Sequence, residues 1–294
     1  MIGWQSIQFA LQYPKVAATQ LWGKYQARQK PPYDEKGINI HKEDWDILLI
    51  LDACRYDVFA DQATIAGNLS KKRSRGSTST EWIRGNFMNS EFDDLVIVTA
   101  NPYYKELAEE IGLQVHHFEW VRSQEPNTAL IPPEQVTDRV LEIVHQYPNK
   151  RILAHYMQPH APYISSDGNT DILTTQLARA VKDDPSIKER INSAYRENFD
   201  IVQNAIKPVI EGNYGKTVIS ADHGEMLGEP LIGGLDATSF YGHPYGCSHE
   251  SVRFVPWHVV AGTEKHRRVI KSSRTRSVVT EDVNEQLREL GYVS

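Results

Sequence analysis

Ile47-Leu48-Leu49-Ile50-Leu51-Asp52 decides the fold: five apolar residues without alternation, then a carboxylate. A strand that is apolar at every position is covered on both faces, as in a parallel sheet held between layers of helices. Runs of the same kind are Leu95 to Val98, Ile152 to Ala154, Thr217 to Ile219 and His258 to Val260. Between them the apolar spacing turns helical, most clearly at Glu134 to Gln146, where Val136, Val140, Leu141 and Val144 recur, and at Ile187 to Ile210. Strands alternating with helices predict an α/β fold with a mostly parallel, mixed central sheet flanked by helices on both faces.

Toward the N-terminus the pattern changes. Trp4, Ile7, Leu11, Val16, Ala17 and Leu21 recur at helix-like intervals interrupted by Pro14, and Lys30 to Tyr33 reads as an extended linker. Residues 1–44 are therefore set apart as a helical extension and linker, and residues 45–294 as the main domain. The amphipathic stretch within residues 1–25 suits docking on the protein's own core, with peripheral contact to a membrane surface as its other use. No run approaches the ~20 apolar residues of a spanning helix. Met1-Ile2-Gly3-Trp4-Gln5 lacks the basic start of a signal peptide, so a cytoplasmic protein without a transmembrane segment is expected. A net charge of -6 leaves no basic excess for a nucleic-acid partner. Two cysteines, Cys54 and Cys247, do not make a disulfide framework.

The chemistry-bearing residues gather just past strand ends. Ile47–Leu51 runs into Asp52-Ala53-Cys54-Arg55-Tyr56-Asp57, and Thr217–Ile219 runs into Ser220-Ala221-Asp222-His223-Gly224-Glu225. Asp52 alone reads equally well as a helix N-cap. Asp222 and His223 offer a hard oxygen and an imidazole to a divalent metal, with Gly224 permitting close backbone approach. Gly76-Ser77-Thr78-Ser79-Thr80-Glu81 puts four hydroxyls ahead of a helical segment, either as a plain N-cap or as a nucleophile at a helix N-terminus that favours anions. His155 and His160 follow Ile152–Ala154, His243 follows Gly242, and His249-Glu250 precedes the last strand. Residues 164–186 and 228–250 read as long loops.

The order Leu51-Asp52-x-x-Arg55-x-Asp57, hydroxyl cluster, Pro159-His160-x-Pro162-Tyr163, Asp222-His223-Gly224-Glu225, Gly242-His243, Val255-Pro256 resembles the alkaline phosphatase/sulfatase superfamily, in its sulfatase-like branch. Leu287 to Tyr292 is also similar to the C-terminus of many such proteins, so the resemblance spans roughly residues 45–292. It implies an alkaline-phosphatase-like fold and a metal-dependent hydrolase of phosphate-type or sulfate esters, with a Ser/Thr nucleophile and a covalent intermediate. Asp52 matches the first metal-binding aspartate, and Asp222 with His223 the later ligand pair. Ser79 is placed as nucleophile and metal ligand, with Thr78 and Thr80 as alternatives. His160 and His243 match histidines that contact the substrate or a second metal, while Arg55 and His155 are assigned to the substrate anion, with a helix-surface position as the other reading of Arg55. The implied cofactor is a divalent cation, Mn²⁺ or Zn²⁺, with Ca²⁺ or Mg²⁺ less suited to imidazole. The implied substrate is an anionic ester carried on a small molecule, glycan or lipid.

Two departures from the family pattern narrow this. Neither Cys54 nor Cys247 stands in the segment that sulfatases oxidise to formylglycine, which points away from a sulfatase of that kind. Gln158 replaces an expected acid, which weakens a complete second metal site. A head-group phosphotransferase of the same superfamily and a catalytically degenerate binding or scaffold protein are the competing expectations.

Overall fold

The computed structural model describes residues 32–123, 130–164, 187–230 and 239–263. Strand β1 (Ile47–Leu51) is central, and all five of its residues are buried. It pairs in parallel with β5 (Arg151–Tyr156) on one side and β6 (Thr217–Ser220) on the other. Beyond β5 lie β3 (Glu91–Thr99) and β4 (Gln114–Trp120), both parallel. Beyond β6 the antiparallel β9 (Phe254–Val260) and then β2 (Gly67–Arg73) complete a seven-stranded sheet of order β2-β9-β6-β1-β5-β3-β4. A separate hairpin pairs β7 (Met226–Pro230) with β8 (Ser239–Gly242).

Because side chains alternate across a strand, the unbroken apolar run of β1 feeds two cores. Ile47, Leu49 and Leu51 pack with residues of α1 (Tyr56–Gln62), α5 (Pro133–Gln146), α6 (Ile187–Ala205) and α7 (Lys207–Glu211). Leu48 and Ile50 pack on the opposite face with α2 (Ser79–Phe87), α3 (Tyr103–Glu106) and α4 (Ala108–Ile111). Helices therefore cover both faces, as the sequence pattern predicts.

Four strands differ from the sequence reading. β2 is an edge strand with exposed Gly67, Asn68, Lys71 and no apolar run to announce it. β4 carries His116 and His117 in place of an aliphatic run, and β7 and β8 occupy part of the stretch expected to be a long loop. The helix expected over Ile187 to Ile210 is two helices meeting at Ile206, with Pro208 in the first turn of α7. The N-terminal amphipathic stretch, most of the 164–186 loop and Leu287 to Tyr292 lie outside the described residues. Residues 32–44 pack onto the domain: Ile38 N–H donates to Arg73 O at 2.8 Å, and the Asp34 carboxylate pairs with Arg73 and Arg253. No helix among the described residues is long and apolar enough to cross a membrane.

What matters for the site is direction. The parallel strands β1, β3, β5 and β6 end at one edge of the sheet, and β2, antiparallel to an antiparallel neighbour, ends there too. Their following turns carry Asp52, Asn101, Gln158–His160, Asp222–His223 and the start of α2, so one rim receives them all. The crevice beyond the C-terminal strand ends is where open α/β sheets place their ligands.

Candidate metal centre

The turn after β1 is held in an uncommon conformation. Ala53 has φ of 58°, the left-handed region that costs a residue with a Cβ about 1–2 kcal/mol. Both of its backbone groups are held: Asp222 Oδ1 accepts from Ala53 N at 3.0 Å, and Tyr195 of α6 donates its hydroxyl to Ala53 O at 2.7 Å. The same tyrosine oxygen accepts from Arg55 N at 2.9 Å. The strain is thus offset by bonds from β6 and α6, and the result fixes where Asp52 points.

Helix α2 decides which hydroxyl reaches that place. Thr78 is its N-cap, with Thr78 Oγ1 accepting from Glu81 N at 3.2 Å. Thr80 Oγ1 lies 2.9 Å from Thr78 Oγ1, so these two hydroxyls satisfy each other. Successive helical residues are rotated by about 100°, and Ser79 faces the other way. Its Oγ donates to Asp222 Oδ2 at 2.7 Å and lies 3.4 Å from Asp52 Oδ2. Ser77 is occupied by the buried Glu81, which accepts from its N–H and its hydroxyl.

Asp52, Asp222 and His223 form one group of donors, each side chain fully buried, with one ligand atom apiece lying within 4.8 Å of the others. His223 Nδ1 lies 2.8 Å from Gly224 O, which can only accept, so Nδ1 carries a proton and Nε2 is the ring nitrogen available to a cation. That Nε2 is 3.3 Å from Asp222 Oδ2 and 3.7 Å from Asp52 Oδ1. Neither His223 Nε2 nor Asp52 Oδ1 has a hydrogen-bond partner among the described residues. A buried carboxylate oxygen and a buried imidazole nitrogen left unpaired cost ~1–3 kcal/mol each, and a cation between them satisfies both. The residues fit a divalent ion of the Zn²⁺ or Mn²⁺ kind, because a mixed oxygen and imidazole donor set suits those ions.

Beside this lies a second group, His160, Glu225 and His243, again within 4.8 Å. His160 Nδ1 is bonded to Ala161 O, leaving its Nε2 2.8 Å from His243 Nε2. Two imidazoles on one tetrahedral ion stand about 3.3 Å apart at zinc–nitrogen bonds of ~2.0–2.1 Å, so a small adjustment converts this contact to coordination. The His223 and His243 rings are 4.2 Å apart between centroids, which puts the two groups side by side. Burial pushes the Glu225 carboxyl well above its ordinary range and the Asp52 charge adds to this, against the pull of Arg55. Burial likewise pushes the His243 imidazole well down, helped by His223 and His160. A cation held here would stabilise the Glu225 carboxylate, and an unprotonated His243 has a lone pair to offer it.

The sequence-expected residues divide. Asp52, Ser79, Asp222 and His223 converge, and His160 meets His243. Thr78 and Thr80 turn away from the carboxylates. Arg55 is not placed as an open anion receptor: its Nε and Nη2 hold Asp57 at 2.8 and 2.6 Å, and its Nη1 holds Glu229 at 2.5 Å. Nor does His155 face a substrate. It is fully buried on β5, with Nε2 3.6 Å from Asp52 Oδ2 and 3.8 Å from Asp222 Oδ2, and Nδ1 3.3 Å from the Tyr104 hydroxyl, so it backs the carboxylates from beneath.

Three contributors escape sequence reasoning. Asn101, past β3, donates to Asp52 Oδ2 at 2.9 Å. Glu225 stands in an acid-containing motif whose Asp and His draw the attention first. Tyr195 lies mid-helix, where an aromatic reads as core. Gln158 donates to Ile131 O, away from the site, and Glu225 is the carboxylate grouped with His160 and His243.

The closeness expected at Gly224 is real, for a Cβ there would meet Ser251 O at 2.0 Å. Gly224→Ala is expected to cost about 1–3 kcal/mol through overpacking, read as a melting temperature lower by several degrees in calorimetry. An unchanged melting temperature would show that the α8 (Glu250–Arg253) backbone yields.

No family model and no curated protein matches the chain. Solved structures do. The soluble domain of lipooligosaccharide phosphoethanolamine transferase A from Neisseria meningitidis is 12% identical, over 72% of this chain and 75% of that one, with a TM-score of 0.49. The C-terminal periplasmic domain of EcEptC from Escherichia coli, in complex with zinc, is 15% identical over 78% and 77%, with a TM-score of 0.44. The phosphonate monoester hydrolase of Agrobacterium radiobacter is 12% identical over 74% and 68%, with a TM-score of 0.42. The chain has an α/β fold with a mixed seven-stranded sheet covered by helices on both faces, and in the order of its motifs it resembles the alkaline phosphatase/sulfatase superfamily.

Proposed function

We propose that the chain is a metal-dependent hydrolase of phosphate-type esters, with sulfate esters as the second substrate chemistry, acting through Ser79. One observation carries this reading. Ser79 Oγ sits between two buried carboxylates, at 2.7 and 3.4 Å, where an unpaired imidazole lone pair also points. Asp52, Asp222, His223 and Ser79 would hold one divalent ion, and His160, Glu225 and His243 a second. A bound ion of this kind lowers the pKa of a hydroxyl and neutralises charge on the transferring group.

The chain's own residues do the rest. Ser79 Oγ attacks phosphorus, forming a new O–P bond as the bond to the leaving alcohol breaks, and water then splits the seryl ester. Asp222 Oδ2 accepts from Ser79 Oγ and so aims it. Asn101 Nδ2 donates to Asp52 Oδ2 and holds that carboxylate in place, with the buried His155 packed 3.6 Å away. The N-terminus of α2, capped by Thr78, places the positive end of a helix dipole beside the arriving anion.

The test is a screen of nitrophenyl phosphate monoesters, diesters and sulfates on metal-free protein resupplied with Zn²⁺, Mn²⁺, Ca²⁺ or Mg²⁺, alongside elemental analysis. Turnover is expected with Zn²⁺ or Mn²⁺, lost on chelation and recovered on resupply. Protein that retains no metal and turns over none of these esters would sink the hydrolase reading and favour a binding role.

A further inference from the structure

Arg55 is spent on the protein itself, and the partners it chooses carry information. Of the five N–H donors of a guanidinium, four are engaged: Nε and Nη2 by Asp57, and Nη1 by Glu229 Oε1 and Glu225 O at 3.1 Å. Its side chain is 10% exposed. A buried arginine so fully occupied fixes the geometry of whatever it joins.

What it joins are the two donor groups. On one side its backbone belongs to the turn after β1, three residues past Asp52, locked by Asp222 and Tyr195. On the other side its guanidinium grips the β7–β8 hairpin, at the carbonyl of Glu225 and the carboxylate of Glu229. That hairpin starts directly after Glu225 and ends directly before His243. Glu229 closes the loop of contacts by accepting from Leu227 N at 2.6 Å, which stiffens the base of β7. Arg55 is the side chain that bonds the hairpin directly to the β1 turn, while Asn192 of α6 reaches the hairpin more weakly, at Leu227 O, 3.4 Å.

We propose that Arg55 is a positioning residue that sets the second donor group, Glu225 and His243 with His160, against the first. The inference rests on the reading of both groups as metal cradles. It assigns Arg55 a role that a substrate-binding arginine does not have: removing it should loosen the hairpin's ligands and leave Asp52, Asp222 and His223 in place. The charged pair matters through its planar, forked geometry, which the single ammonium of lysine cannot reproduce.

The experiment titrates metal-free protein with Zn²⁺ and resolves the affinity of each equivalent, for wild type, Arg55→Lys, Arg55→Gln and Glu229→Gln. Wild type is expected to bind two equivalents. All three variants are expected to weaken the second equivalent about 10–100-fold, the usual effect of losing a group that orients a ligand, with the first changed less than about threefold. In the double variant Arg55→Gln with Glu229→Gln the two effects are expected not to add, since both cut the same tie. Glu229→Gln, at a side chain 28% exposed, serves if the arginine variants fold poorly. Variants that bind both equivalents as wild type does, or weaken both equally, overturn the positioning role while the two-cradle reading stands. A wild type that takes fewer than two equivalents overturns that reading and the inference with it.

Discussion

Ser79→Ala is expected to reduce kcat on an aryl phosphate by about 10⁴-fold or more, while bound metal persists. Loss of a covalent nucleophile in a preorganised site commonly costs on the order of 10⁴–10⁶-fold. Substrate binding and electrostatic stabilisation survive, so a trace of turnover by direct attack of water is expected. Asp52, Asp222 and His223 remain to hold an ion, since the hydroxyl is only one of the donors around it. Thr78→Ala and Thr80→Ala provide the contrast. Their hydroxyls bond to each other at 2.9 Å, so the first should cost about 1 kcal/mol of stability as a lost cap and the second less. If Ser79→Ala turns over normally and a threonine variant does not, the nucleophile is misassigned. Single-turnover kinetics on the three variants measures this directly.

Asp222→Asn is expected to abolish tight metal binding, with an affinity at least ~10²-fold weaker, and activity with it. Asp222 has three tasks: Oδ1 accepts from Ala53 N and His223 N, and Oδ2 accepts from Ser79. Asparagine preserves the shape and one acceptor but removes the charge. The effect on stability should divide by metal state. Without metal, Asp52, Asp222 and Glu225 crowd three buried carboxyl groups together, and removing one charge should cost little or even stabilise. With metal, wild type should gain the binding free energy as added stability, several kcal/mol at saturating ion, and the variant should not. Melting temperatures with and without Zn²⁺ check this. An equal rise in both proteins would remove Asp222 from the ligand set.

Much of this arrangement was legible because burial writes itself into composition. β1 is apolar at every position since it has helices on both faces, and β3, β5, β6 and β9 show shorter runs for the same reason. Edge strands carry no such mark. β2 is half solvent-facing, and its Lys71, Lys72 and Arg73 guard an edge that would otherwise invite pairing. Among the site residues, Asp222 and His223 declared themselves by standing together after a strand. The choice among Thr78, Ser79 and Thr80 depends on helical register, and only Glu81, three positions after the cap, hinted at it. Arg55 shows the limit most plainly. Its partner Glu229 is 174 residues away, and nothing local distinguishes an arginine awaiting an anion from one already holding two carboxylates. Gln158 stands where an acid is expected, and Glu225 joins His160 and His243 only through the fold, which no local pattern announces.

Asp52 and Asp222 hang from neighbouring strands whose ladder pairs Ile50 with Ser220. Hydrogen-bonded strands keep a spacing of about 4.8 Å that neither can widen without breaking its ladder. The sheet therefore sets the distance between the two backbones from which these carboxylates reach, and a cation held by both would have to suit that distance. A small ion held between them would ask nothing of the strands, whereas a large one would strain a ladder whose residues are all buried.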